Sequence, residues 1–157
     1  MTSLEPIRKN IVINAAQAHV FSVFTDGIDK WWPREHHIGP SPLKQAIIEP
    51  KAGGRWYSTC QDGSEINVGK VLVWEPPQRL VLSWQITGEW KYDPDFITEV
   101  ELTFTAEGPK KTRVDLEHRN MARFGVAAEA TRGMFDSPGG WSQTLASFAK
   151  AAEQQPK

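Results

Sequence analysis

This 157-residue sequence predicts a single α+β domain, an antiparallel sheet covered on one face by a long C-terminal helix, and three observations carry that prediction. From Leu43 to Arg119 the apolar residues recur with a period of two, as on half-buried strands. Within that stretch, Gly69 to Trp84 forms two arms rich in β-branched and aromatic residues, broken by Pro76-Pro77. Proline donates no ladder hydrogen bond and fixes φ at about −65°, so the arms must end there and reverse. Beyond the sheet, Trp141, Leu145, Phe148, Ala149 and Ala152 fall at i, i+4, i+7, i+8 and i+11, one apolar stripe on a helix.

The elements run in order along the chain. Ile7 to Ile13 is the first strand, with Ile11 and Ile13 on one face and Val12 on the other. Asn14 is a candidate helix cap, because its side chain can accept from the free N–H groups of the first turn. Val20, Val23 and Phe24 then sit at helical spacing, and Asp26-Gly27 closes the helix. Ile28 to Trp32 makes one more turn, stopped by Pro33, and the proline-rich run to Pro42 is a loop. Six further strands are expected near Gln45–Glu49, Arg55–Thr59, Ile66–Trp74, Leu80–Ile86, Ile97–Thr105 and Thr112–Arg119. Gln61-Asp62-Gly63-Ser64 and Gly108-Pro109-Lys110-Lys111 are the hairpin turns between them. Val100, Leu102 and Phe104 alternate with polar residues, as do Val114, Leu116 and His118, so one sheet face is covered and the other meets water. Ala122 to Met134 forms a short helix ending near Gly133. Ser137-Pro138 opens the last helix, with serine as cap and proline at the first helical position, and that helix runs to Glu153. Residues 1–157 form one domain, without repeat or linker.

Composition excludes several function classes. Eighteen basic against nineteen acidic residues give a net charge of −1, which offers no electrostatic footprint for nucleic acid or an anionic membrane. No segment approaches the ~20 apolar residues needed to span a bilayer, and Met1 to Asn10 lacks the apolar run of a signal peptide. Cys60 is the single cysteine, so no internal disulfide forms and a reducing, cytoplasmic location is expected. Seven tryptophans are the unusual number. They mean a large core or the walls of a cavity for an apolar ligand.

Candidate site residues come from that aromatic set: Phe24, Trp31, Trp32, Trp56, Trp84, Trp141 and Phe148, each either core or pocket wall. Leu102 on the covered strand face and Leu145 on the helical stripe join them. Trp74 is excluded, because strict alternation puts it on the face opposite Val71 and Val73. His118 shares parity with Val114 and Leu116 and so belongs under or beside the last helix, as a satisfied core histidine or as a group that exchanges a proton with a ligand. Arg55 faces either the pocket mouth or solvent, and Arg113, Asp115, Glu117 and Arg119 form a solvated face. In Glu35-His36-His37 neighbouring histidines point apart and no third ligand is marked, so no metal site is expected; His37 is placed near a pocket entrance. Thr87 to Phe96 carries Trp90, Tyr92 and Phe96, a lid or a segment packed over the sheet edge. No nucleophile elbow, phosphate loop or dinucleotide fingerprint is present, and no cofactor and no catalytic set is expected.

The order of elements carries a set of short motifs: Val20-Phe21 with Phe24-Thr25-Asp26, Trp31-Trp32, Gly53-Gly54-Arg55, and Gly69-x-Val71. Glu75-Pro76-Pro77-x-Arg79-Leu80, Ser83-Trp84, Thr98-Glu99-Val100, Thr112-Arg113-Val114 with Leu116-Glu117-His118, and Gly140-Trp141 complete it. Over roughly Ile7 to Ala152 this resembles the START-like (SRPBCC) superfamily, and more narrowly the family named for the activator of heat-shock protein 90 ATPase. The resemblance implies a helix-grip fold, a curved seven-stranded antiparallel sheet wrapped on a long C-terminal helix. It also implies a cavity between sheet and helix for a small apolar or amphipathic molecule, such as a lipid, sterol or polyketide. Binding of such a ligand is the expected function. A chaperone partner with a stress-related role, and a cyclase- or hydrolase-type activity in the same cavity, are its alternatives. Monomer and homodimer both remain open.

Overall fold

A computed structural model describes residues 5–32 and 41–154. Seven strands form one antiparallel sheet in the order β1-β7-β6-β5-β4-β3-β2: β1 (Ile7–Ile13), β2 (Leu43–Ile48), β3 (Arg55–Cys60), β4 (Glu65–Glu75), β5 (Arg79–Trp84), β6 (Thr98–Gly108) and β7 (Lys111–Arg119). Every expected strand is present, and the helix-grip architecture holds. The helices are α1 (Gln17–Thr25), α2 (Ile28–Trp31), α3 (Ala128–Asp136) and α4 (Gln143–Gln154). Helix α1 lies over β6 and β7, α2 over β2, and α4 against α1, α2 and β1. No helix among the described residues is long and apolar enough to cross a membrane.

Strands β5 and β6 pair without interruption, and β6 pairs regularly with β7 as far as Ala106: Leu80 faces Leu102 and Leu82 faces Val100, while Leu102 faces Leu116 and Phe104 faces Val114. All of these side chains are buried and form the floor of the core. On the outer face, Glu101 accepts from Arg79 Nε at 2.6 Å and from Arg119 Nη1 at 2.7 Å. The hydrogen bonds from those two guanidinium groups hold its carboxyl below the usual carboxylate range. Arg113, Asp115, Glu117 and Arg119 belong to this charged face, as the alternation predicts. Arg55 resolves to the same side, stacked over the Tyr57 ring at 3.8 Å and bonded to Asn67 and Glu65.

Strand β4 breaks the alternation twice. Trp56 pairs with Gly69 but Tyr57 with Asn67, which leaves Val68 as an extra residue. Val71 pairs with Leu82 but Val73 with Val81, which leaves Leu72 extra. Each β-bulge reverses the facing of the residues beyond it. The inward set is therefore Ile66, Gly69, Val71 and Trp74, with the bulged Val68 also buried in the core, and the exclusion of Trp74 is corrected: its ring packs edge-on against Phe21 at 5.2 Å. Gly69 admits no side chain, because a Cβ there would lie 1.8 Å from the Ser83 carbonyl oxygen.

Three helix boundaries also differ from expectation. Asn14 does not cap α1: the N-cap is Ala16, and the Asn14 backbone N–H donates instead to Glu153 at the far end of α4 (2.9 Å). The segment before α3 is a 3-10 stretch, Met121–Ala127, interrupted at Gly125, and α3 continues past Gly133 to Asp136. The last helix begins at Gln143 rather than Pro138. Pro138–Ser142 forms a π-type turn in which Gly140 leaves helical geometry, and a Cβ on it would sit 2.3 Å from the Phe135 carbonyl oxygen. Ser137 does not cap; its hydroxyl donates to the Met134 carbonyl at 2.6 Å. The close approach of α3's end to Gly140 thus displaces the helix start while leaving Trp141 buried.

Candidate functional site

Ten of the eleven sequence-nominated residues lie within the described part of the chain, and all ten are buried: Phe24, Trp31, Trp32, Trp56, Trp84, Leu102, His118, Trp141, Leu145 and Phe148. His37, with Glu35 and His36, lies outside it. The ten arrive from α1, α2, the residue after it, β3, β5, β6, β7, the turn before α4, and α4 itself.

At the centre, four tryptophans close a ring. Trp32 meets Trp56 at 5.8 Å, Trp56 meets Trp84 at 5.7 Å, Trp84 meets Trp141 at 6.0 Å, and Trp141 returns to Trp32 at 6.4 Å. All four contacts are edge-to-face, the orientation that sets the positive ring edge on a negative ring face. Strand parity brings Trp56 and Trp84 inward; the C-terminal end of α2 brings Trp32, and the Gly140 kink brings Trp141. Phe24, Trp31 and Phe148 form a second cluster with mutual centroid distances of 5.1 Å, joined to the ring through Trp32.

Beside the ring, His118 is fully buried and both ring nitrogens are engaged. Trp141 Nε1–H donates to His118 Nδ1 at 3.1 Å. An indole has no acceptor, so Nδ1 is unprotonated and Nε2 carries the proton. Nε2–H then donates to Thr98 Oγ1 at 2.9 Å, and the Thr98 hydroxyl donates to the Trp84 carbonyl at 2.9 Å. The chain of hydrogen bonds fixes one neutral tautomer, and burial pushes the imidazole pKa down to about 3. Phe135 stacks on the ring at 5.2 Å. His118 is thus held as a neutral link between the α4 side and the sheet, not as a titrating base near neutral pH.

Other tryptophan N–H groups are also consumed within the protein: Trp31 donates to the Val23 carbonyl at 2.8 Å and Trp84 to the Ile86 carbonyl at 3.1 Å. Strand β3 is different. Trp56 and Ser58 both face inward, 2% and 7% exposed, yet neither Trp56 Nε1 nor Ser58 Oγ bonds to any described residue. Among the described residues no polar side-chain atom is both closed to solvent and without a partner, so these two atoms open on accessible space. Sequence reasoning missed Ser58; its parity with Trp56 and Cys60 was the available signal.

The segment after β5 settles as packing. Phe96 sits on Phe124 at 4.9 Å, and Trp90 on Phe135 at 6.2 Å while remaining partly exposed. Among the described residues no three histidine, cysteine or carboxylate side chains group as metal ligands.

The model of the family described as Activator of Hsp90 ATPase homolog 1-like protein matches residues 14–153. The chain belongs to this family. Among solved structures, the chain is 37% identical to an anthrahydroquino-gamma-pyrone synthase, Txn09, complexed with SUM, covering 95% of this chain and 99% of that one with a TM-score of 0.66. It is 32% identical to CalC from Micromonospora echinospora, a self-sacrificing resistance protein, covering 96% and 95% with a TM-score of 0.70. Protein NE0264 from Nitrosomonas europaea, at 12% identity and a TM-score of 0.63 over 99% of both chains, shares the fold. No curated protein matches the sequence. In this member of the Activator of Hsp90 ATPase homolog 1-like family, the tryptophan ring therefore lies inside a grip whose outline recurs at low identity.

Proposed function

We propose that this protein binds a flat, polycyclic aromatic molecule in the grip between the sheet and the helices. The observation that carries the reading is the closed ring of Trp32, Trp56, Trp84 and Trp141, drawn from four separate elements. Indole faces and edges suit a fused-ring ligand, because each offset or edge-on contact adds about 0.5–1.5 kcal/mol beyond burial of area. The identity to an anthrahydroquino-gamma-pyrone synthase supports the same ligand class. His118 serves this reading as a positioning residue, since its hydrogen bonds fix Trp141 and tie it to β6.

Thermal unfolding with a panel of polycyclic aromatics tests the proposal, alongside native mass spectrometry of freshly purified protein. A ligand at about 100 times its Kd stabilises by roughly 2.7 kcal/mol, which raises Tm by about 5–10 °C for a domain of this size. An unchanged Tm and unchanged tryptophan fluorescence across the panel would overturn it. The family description favours a second reading, stimulation of a chaperone ATPase. An ATPase assay with the organism's own chaperone decides that one, and no stimulation at saturating protein removes it.

A further inference from the structure

The concave face of the sheet is not uniform. Over β5, β6 and β7 it carries Leu80, Leu82, Val100, Leu102, Phe104 and Leu116, all buried and packed on one another. Around β3 the inward positions are mixed. Ser58 lies between Ala46 and Ile66, and Trp56 between Ile48 and Gly69. Gly69 brings no side chain at all, and Ala46 only a methyl group, so each of the two uncommitted polar residues has one small cross-strand neighbour.

Trp56 and Ser58 stand two residues apart on a regular strand, so their Cα atoms are about 6.6 Å apart and their side chains point the same way. An indole N–H only donates; a serine hydroxyl donates and accepts. A group that meets both must offer a lone pair. The N–H groups of Trp31, Trp84 and Trp141 are already taken, two by backbone carbonyls and one by His118. Leaving buried donors unpaired costs free energy unless water or a ligand receives them.

We propose that Trp56 Nε1 and Ser58 Oγ form the polar end of the ligand site and hold a carbonyl oxygen of a quinone- or ketone-type ring system. This rests on the ligand-binding reading above and gives it direction: the ring system lies against the tryptophans, and its oxygen is received at β3.

The test uses two probes of nearly equal size, 9,10-anthraquinone and anthracene, titrated by tryptophan fluorescence into the wild-type chain, Ser58→Ala, Trp56→Phe and the double variant. Circular dichroism establishes that each variant is folded. Wild type is expected to favour the quinone. Ser58→Ala is expected to weaken quinone binding about 3–10-fold, the value of one neutral hydrogen bond, with anthracene changing less than about 2-fold; Trp56→Phe, which also takes ring area from the grip, is expected to weaken the quinone about 3–10-fold more than it weakens anthracene. The double variant then shows no preference. Equal affinity of wild type for both probes, or a preference that survives both substitutions, overturns the polar site while leaving the aromatic grip standing. Binding of neither probe overturns both readings together.

Discussion

The two ends of the concave face handle their polar groups in opposite ways. At β6 and β7, His118, Thr98 and Trp141 consume one another's hydrogen bonds and end on a backbone carbonyl, so nothing is left for a ligand. At β3, two residues buried almost as deeply keep a donor and a hydroxyl uncommitted. Burial alone therefore does not separate core from site in an aromatic-rich domain. The difference lies in whether the buried polar atoms already have partners: a closed network makes a rigid wall, and an open pair leaves a donor and a hydroxyl for water or a ligand to meet.

Acidification probes the closed end and should have the largest effect. His118 is neutral when folded, with its pKa lowered to about 3 by burial, whereas in the unfolded chain it returns to its ordinary value of 6.5. The unfolded state therefore binds the extra proton between these values. The stabilisation is complete above pH 6.5 and is lost as the pH falls toward 3, at up to about 1.4 kcal/mol per unit. Urea unfolding at stepped pH measures the slope, and His118→Gln should flatten this component. A slope identical in wild type and variant would show that His118 is not the group responsible.

A matched pair of substitutions then compares the ends directly. Trp141→Phe removes the N–H that His118 Nδ1 accepts and leaves that nitrogen buried without a partner, whereas Trp56→Phe removes an N–H that has none among the described residues. Both lose similar ring area, so Trp141→Phe should cost more by roughly 1–3 kcal/mol. Equal costs in chemical denaturation would erase the distinction. The smallest effect belongs to Ser58→Ala, expected within about 0.5 kcal/mol of wild type or slightly stabilising, because it deletes an unbonded hydroxyl. A Tm drop equivalent to more than ~1 kcal/mol would mean that Ser58 is already bonded.

Strand parity is legible in the sequence wherever pairing is regular. Val100, Leu102 and Phe104 on β6 meet His118, Leu116 and Val114 on β7 residue for residue, so alternation alone places His118 inside. It fails on β4, where two extra residues shift the frame and no residue type announces them. The helix starts fail for a related reason. Asn14 and Ser137 are good caps by type, but Asn14 bonds Glu153 at a separation of 139, and the kink at Gly140, three residues past Ser137, is set by its close approach to the end of α3. Parity and helical spacing turn the aromatic residues inward, yet their ring is not foreseeable, since Trp32 and Trp141 come to it from opposite ends of the chain. His118 likewise finds Trp141 at a separation of 23 and Thr98 at 20, spacings that no local pattern encodes. Ser58 escapes notice because it lies between Tyr57 and Thr59 in a stretch that looks uniformly polar.

The inside and outside of β4 are set like a reading frame that shifts at Val68 and again at Leu72, and everything downstream inherits the shift. Without a bulge at Leu72, plain alternation would put either Val71 or Trp74 on the wrong side; the bulge takes up the extra residue and keeps both inside, and loss of Leu72 would leave them two apart on the same face. The register of the central sheet with respect to the tryptophan ring thus depends on where the strand places its extra residues as much as on their identity.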